Sequence, residues 1–162
     1  MKYFTYDLLT ALSNESLGEA KLDELEEEWG KNRDLYWEQY ASLSNRLPKE
    51  VFQRFDTYGF HDYLLEKVVI NHSNLINTTI QLTVSNEKEK WRLTFTDVFS
   101  FSFHHLNKDK PAPILSPEQD LWTREEFLPV NNKIISFEVI CHSGANLKIE
   151  FKDNGISLEE VL

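Results

Sequence analysis

The chain has 162 residues, 41% of them hydrophobic and 13% aromatic, with five Gly and five Pro. That composition is too apolar and too poor in turn-formers for a disordered chain, and the length suits one domain that closes a core without staples. Twenty-seven acidic residues against 17 basic ones leave a formal net charge of −10, a field that repels nucleic-acid phosphates and anionic lipid; its first reading is a surplus that keeps a cytoplasmic protein soluble, its second a basic partner.

The first rhythm along the chain is helical. Thr5 is placed to cap a short helix whose apolar face holds Leu8, Leu9 and Leu12, and Ser13-Asn14 ends it. From Glu19 to Asn45, Leu22, Leu25, Trp29, Tyr36, Tyr40 and Leu43 fall at three-, four- and seven-residue steps, which predicts a long amphipathic helix. Its other face carries Asp23, Glu24, Glu26, Glu27 and Glu28, acids placed in the half that the helix dipole favours. Gly30 costs about 1 kcal/mol relative to Ala in a helix interior, so a break there would give two helices in place of one. Pro48 restarts the chain as a first helical residue, Val51, Phe52 and Phe55 supply an apolar face, and Gly59 supplies a stop.

Near residue 60 the period changes from helical to alternating. Tyr63 to His72, Leu75 to Val84 and Trp91 to Asp97 read as antiparallel strands; in the second, Ile76, Ile80, Leu82 and Val84 alternate with polar residues. Phe99, Phe101 and Phe103 alternate with Ser100, Ser102 and His104, which predicts a strand with three rings in the core. Residues 106–118, with Pro111, Pro113 and Pro117, read as a long exposed loop. Leu121 to Val130 and Lys133 to His142 flank Asn131-Asn132 at hairpin spacing, and Leu147, Ile149 and Phe151 mark a last strand. The expected fold is α+β in a single domain, 1–162. A helical part (1–59) packs on a mainly antiparallel sheet of six or seven strands (60–156), and 157–162 form a tail.

The single cysteine, Cys141, sits in an alternating apolar run and reads as a buried, inert thiol, which fits a reducing compartment. The N-terminus has no apolar block with a cleavage site, and no apolar stretch approaches the ~18 residues of a membrane span. A cytoplasmic location with no membrane partner is the expectation.

Chemistry is sparse. His61-Asp62 is the leading candidate pair, since adjacent imidazole and carboxylate can ligate a metal or exchange protons. The structural alternative is that Asp62 caps turn amides while His61 packs at a sheet edge. His104 and His105 are consecutive in a strand and point to opposite faces, so they do not chelate one ion, and His61, His72 and His142 have no ligand spacing. The carboxylates Glu24, Glu27 and Glu28 suit a basic protein partner, although a solvated helix face looks the same. No phosphate loop, nucleophile elbow or metal box is present, and no metal or other cofactor is expected.

Five stretches carry a resemblance: Met1-Lys2-Tyr3-Phe4-Thr5, Arg46-Leu47-Pro48-Lys49, Phe60-His61-Asp62, Leu93-Thr94-Phe95-Thr96-Asp97-Val98 and Leu147-Lys148-Ile149-Glu150-Phe151-Lys152-Asp153. Together they resemble the DUF4085 group of uncharacterised bacterial proteins, found mainly in Bacillus-like Firmicutes. That group has a Leu-His-Asp-Ala-like junction where this chain reads Phe60-His61-Asp62-Tyr63, so only the His-Asp pair carries over, and it brings no known activity. Helix-then-sheet proteins with such a junction also occur among bacterial toxin-immunity proteins, a fold-level analogy. The functional expectation is a non-enzymatic protein-interaction or binding module on the pattern of an immunity protein. The alternatives are a small metal-dependent hydrolase centred on His61-Asp62 and a small-ligand module with a pocket between helices and sheet.

Overall fold

The computed structural model describes residues 1–14, 16–74, 76–105 and 120–161. Among these are three helices, α1 (Tyr6–Leu12), α2 (Glu19–Ala41) and α3 (Lys49–Phe55). Eight strands follow: β1 (Leu64–His72), β2 (Thr78–Ser85), β3 (Lys90–Phe95), β4 (Val98–His104), β5 (Trp122–Pro129), β6 (Ile134–Cys141), β7 (Asn146–Lys152) and β8 (Ile156–Glu160). The α+β class holds. The expected loop at 106–118 lies outside the described residues.

The single sheet of six or seven strands does not hold. Two antiparallel sheets of four strands form instead, in the orders β1-β2-β3-β8 and β4-β7-β6-β5. The cause is a corner. Asp97 and Asn154 take positive φ, and Thr96 donates its N–H to the carbonyl of Gly155, so the paired ribbon of β3–β4 against β7–β8 turns from one sheet into the other. A Cβ on Gly155 would lie 2.8 Å from the carbonyl oxygens of Thr96 and Lys152, too close for any side chain. Residues 157–160, expected as tail, belong to β8, which pairs with β3 from Ile156 to Glu160. Its alternation spans only Ile156 and Leu158 before the charged Glu159-Glu160, too short to be distinguished from a solvated end by period alone.

Side chains from both sheets meet in one core that includes Ile80, Leu82, Val84, Leu93 and Phe95 from the first and Phe127, Phe137, Ile149 and Phe151 from the second. Phe95 lies 5.2 Å from both Phe137 and Phe151, ring to ring. Opposite the corner, an isolated bridge between Leu64 and Leu121 joins the first strands of the two sheets' far edges. Cys141 is buried as expected, and burial pushes its thiol up to about 12.

The three-phenylalanine expectation is corrected. Phe99 and Phe103 are exposed and Phe101 is half-buried, because β4 is an edge strand with a bulge between Val98 and Ser100. Phe101 and Phe103 do lie opposite Ile149 and Leu147 of β7. Period fixed their side, but an edge strand has neighbours on one flank only. Ile76 likewise precedes β2 and is exposed.

The helices attach to both sheets. Thr5 caps α1 as its position implies, accepting the N–H of Leu8. α2 passes through Gly30 unbroken, burying Leu25, Tyr36 and Tyr40, and it packs on β5. α3 packs on β8 and sends Val51 and Phe55 into the core, where Phe55 meets Phe127 and Phe137. Between the two, Arg46 pairs with Asp153 at 2.7 Å and donates to the carbonyls of Asn131 and Ile134, tying the helical link to the β5–β6 turn and the sheet corner.

The outer face of the second sheet holds a fully buried carboxylate, Glu126. It accepts the backbone N–H groups of Lys2, Tyr3 and Phe4, each at 2.7 Å. Charge-assisted bonds of this kind contribute ~1.5–3 kcal/mol each, and removing the carboxylate strands three donors. Glu126→Ala is expected to lower unfolding stability by about 3–5 kcal/mol in urea titration. A loss under about 1 kcal/mol would show that water replaces the carboxylate.

Candidate functional site

His61 and Asp62 stand at the turn between α3 and β1. His61 Nδ1 lies 2.9 Å from Asp62 Oδ2, with 34% and 62% of the side chains exposed. Asp62 does not cap turn amides. Its own N–H donates to the carbonyl of Trp122, while Trp122 N–H donates to the carbonyl of Tyr63, so the turn is stitched to the start of β5. Asp62 adopts a φ of 65°, a left-handed conformation that Asp tolerates better than most residues.

The pair borders an open cleft of about 540 Å³ shared with Leu64, Ser85, Asn86, Glu87, Lys88 and Leu121. A carboxylate on Nδ1 orients an imidazole for proton transfer at its other nitrogen, as in a catalytic triad. The third member is missing from the contacts. The hydroxyl of Ser85 donates to Glu66 at 2.6 Å, not to His61, and Asn86 Oδ1 accepts the N–H groups of Lys88 and Glu89 within its own loop. Among the described residues no three His, Cys, Asp or Glu converge where they could hold a metal ion. His104 and His105 are exposed.

The acids expected to meet a partner, Glu24, Glu27 and Glu28, all lie on the solvent side of α2 beside Asp23 and Glu26. Lys21 pairs with Glu24 and Lys31 with Glu27 along the helix. Lys31 holds the Glu27 carboxyl below its usual range.

A second concavity escaped the sequence reading in its details. Between α2, the turn after α3 and the β5 edge lies a cavity of about 130 Å³ lined by Phe4, Trp29, Tyr36, Trp37, Phe55, Tyr58, Arg33, Thr57, Arg124 and Glu125. Glu125 sits beside Val139 of β6 on the strand face that also carries Phe127. Its Oε2 accepts the indole N–H of Trp122 at 2.5 Å. Desolvation pushes the Glu125 carboxyl up to about 7, against the opposing pull of that indole and of Arg124 and Arg54. Gly59, with φ +53°, is required here: a Cβ would lie 2.2 Å from Glu125 Oε1. The only sequence signal is Arg124-Glu125-Glu126, three charged residues inside a strand; the β5–β6 register places Glu125 on the face of Phe127, where a carboxylate is unusual.

Arg54 closes the adjoining wall. Its guanidinium lies over the rings of Phe60 and Trp91 at 4.6 and 5.1 Å, and it donates to Tyr63, Glu89 and the carbonyl of Gly59. The Tyr63 hydroxyl also bonds Glu89, and these donors hold the Glu89 carboxyl down at about 2.

Compared with protein-family models and with curated proteins, the chain matches none.

Three outcomes follow from this geometry. Because the Glu125 carboxyl is raised in the folded state, its contribution to stability is full below about pH 4.5 and is lost as pH rises through about 7. Glu125→Gln is expected to remove a loss of at most about 3 kcal/mol between pH 5 and 8, read from urea midpoints at each pH; an unchanged slope would place the carboxyl in water. Asp62→Gly should hold or raise the melting temperature by relieving a left-handed residue, a gain of up to about 1 kcal/mol. His61→Ala should change stability by less than about 0.5 kcal/mol. A loss above about 2 kcal/mol from Asp62→Gly would assign the His61–Asp62 contact a structural weight its exposure argues against.

Proposed function

We propose that this protein is a non-enzymatic binding module of the cytoplasm that docks a basic protein partner on the acidic face of α2, on the pattern of an immunity protein. The observation that carries the reading is the division of labour along α2. Its first ten residues bury only Leu25 while presenting Asp23, Glu24, Glu26, Glu27 and Glu28 to solvent. Asp23, Glu26 and Glu28 make no ion pair among the described residues. A stretch of helix that contributes so little to the core is free to serve a partner, and the −10 net charge steers a basic one toward it.

The His61–Asp62 pair supports hydrolysis less well, since Ser85 is committed to Glu66 and, among the described residues, no three His, Cys, Asp or Glu converge to hold a metal ion. The resemblance to the DUF4085 group is compatible with a binding role and adds no activity of its own. No described helix is long and apolar enough to cross a membrane, in keeping with a protein partner in place of lipid.

The test compares the intact chain with a Glu24→Lys/Glu27→Lys/Glu28→Lys variant as baits for partner capture, with affinities then measured on the purified partner. The intact chain should retain a basic protein at ~50 mM salt and release it near ~500 mM, as screening of exposed charges requires. The triple variant should bind at least about tenfold more weakly, and His61→Ala/Asp62→Ala should bind as the parent does. Equal affinity for parent and triple variant would sink the proposal.

A further inference from the structure

The corner between the two sheets carries the chain's one Asn-Gly step, Asn154-Gly155; each other Asn is followed by a residue with a Cβ. Such a step has a chemistry of its own. With no side chain at the glycine to hinder it, the glycine nitrogen can attack the side-chain amide carbon of the Asn before it, which makes this the most labile kind of Asn. The side chain of Asn154 is exposed and makes no hydrogen bond among the described residues, so the carbon under attack is open to solvent.

The nucleophile is what the fold controls. Gly155 is buried, and its N–H donates to the carbonyl of Lys152 at 2.8 Å. On one side of it the N–H of Asn154 donates to the carbonyl of Arg46, and on the other the carbonyl of Gly155 accepts the N–H of Thr96, each at 2.8 Å. Three successive peptide planes are thereby pinned by one bond each. Closing a five-membered ring requires the middle plane to turn toward the Asn154 side chain and its nitrogen to give up the proton, and neither happens while these bonds stand. The Arg46 guanidinium, paired with Asp153, fastens the same corner from outside.

We propose that Asn154 is a self-modification site gated by the opening of this corner. Once the corner opens, the Gly155 nitrogen loses its proton to water and bonds to Asn154 Cγ, the bond from Cγ to the amide nitrogen breaks, and ammonia leaves. One water then opens the cyclic imide at either carbonyl, giving aspartate or isoaspartate with no gain or loss of electrons. The isoaspartate form runs the main chain through the former side chain and adds one carbon to it between residues 154 and 155. The corner has no space for that carbon, since even a Cβ on Gly155 would lie 2.8 Å from the carbonyl oxygens of Thr96 and Lys152. A chain converted to isoaspartate does not restore the three bonds, and the opening becomes permanent.

The test is peptide mapping by mass spectrometry of the full chain aged in mildly alkaline buffer, folded and in concentrated urea. In urea Asn154 should convert faster than any other Asn. In the folded chain it should convert at least about tenfold more slowly, because opening gives up three backbone hydrogen bonds. The same slowing, within about threefold, should appear in hydrogen exchange at the Gly155 amide, which needs the same N–H set free. Arg46→Ala, shown to be folded by circular dichroism, should raise the folded-state rate at least about threefold; the exchange comparison on the intact chain decides the matter if that variant does not fold. Equal rates in buffer and urea, faster conversion of another Asn in urea, a mismatch between conversion and exchange, or an isoaspartate form that refolds to the parent's melting temperature would each overturn the assignment.

Discussion

A carboxylate without water must be surrounded by donors, and Glu126 finds them in the first residues of the chain. Much of the helical part depends on that constraint. Once the amides of Lys2, Tyr3 and Phe4 are drawn to the outer face of the second sheet, the rings of Tyr3 and Phe4 stand against Tyr36, and Phe4 also meets Trp29. Asn32 adds a hydrogen bond to the carbonyl of Tyr3. Tyr36 in turn accepts the N–H of Phe127 through its hydroxyl, so α2 is fixed along β5, an edge strand that would otherwise offer its backbone to another chain. The aromatic cavity exists because of this placement.

Two arginines do comparable work elsewhere. Arg46 bonds to groups of the β5–β6 turn and to Asp153, Arg54 to groups of the 59–63 turn and to Glu89, and each is more than two-thirds buried. Both use several donors of a planar guanidinium at once, something a lysine ammonium would do with poorer geometry. The exposed pairs on α2, Lys21–Glu24 and Lys31–Glu27, contribute little to stability by comparison. Charge in this protein is thus of two kinds: a few buried groups that join distant segments, and a solvated surplus that sets the outer field.

The elements were legible because period is a local property. The Thr5 cap, the long stripe from Leu22 to Leu43, the Asn131-Asn132 hairpin and the buried Cys141 all follow from residues within a turn or a strand of one another. What was not legible is set by partners far along the chain. The split into two sheets depends on Thr96 meeting Gly155, and the exposure of Phe99 and Phe103 depends on β4 having no second neighbour among the described residues. The site shows the same division. Glu24, Glu27 and Glu28 were placed correctly on the solvent face, and the His61–Asp62 contact is visible in adjacency. Glu125 could not be found, since its meaning rests on Gly59, Trp122 and α2. Several short stretches are tie points: residues 1–5 at Glu126, Arg46 at Asp153, Asp62 at Trp122, and 96–97 at the corner.

The bond between residues 3 and 126 also bears on how the protein is made. Synthesis delivers the helical part first, yet its aromatic face is completed only by β5 and β6, more than 120 residues after Tyr3. A nascent chain ending anywhere before residue 126 carries Phe4, Tyr36 and Phe55 without their sheet. The helices must therefore travel as an unfinished half, exposed to chaperones and to neighbouring chains, until the ribosome has released the second sheet.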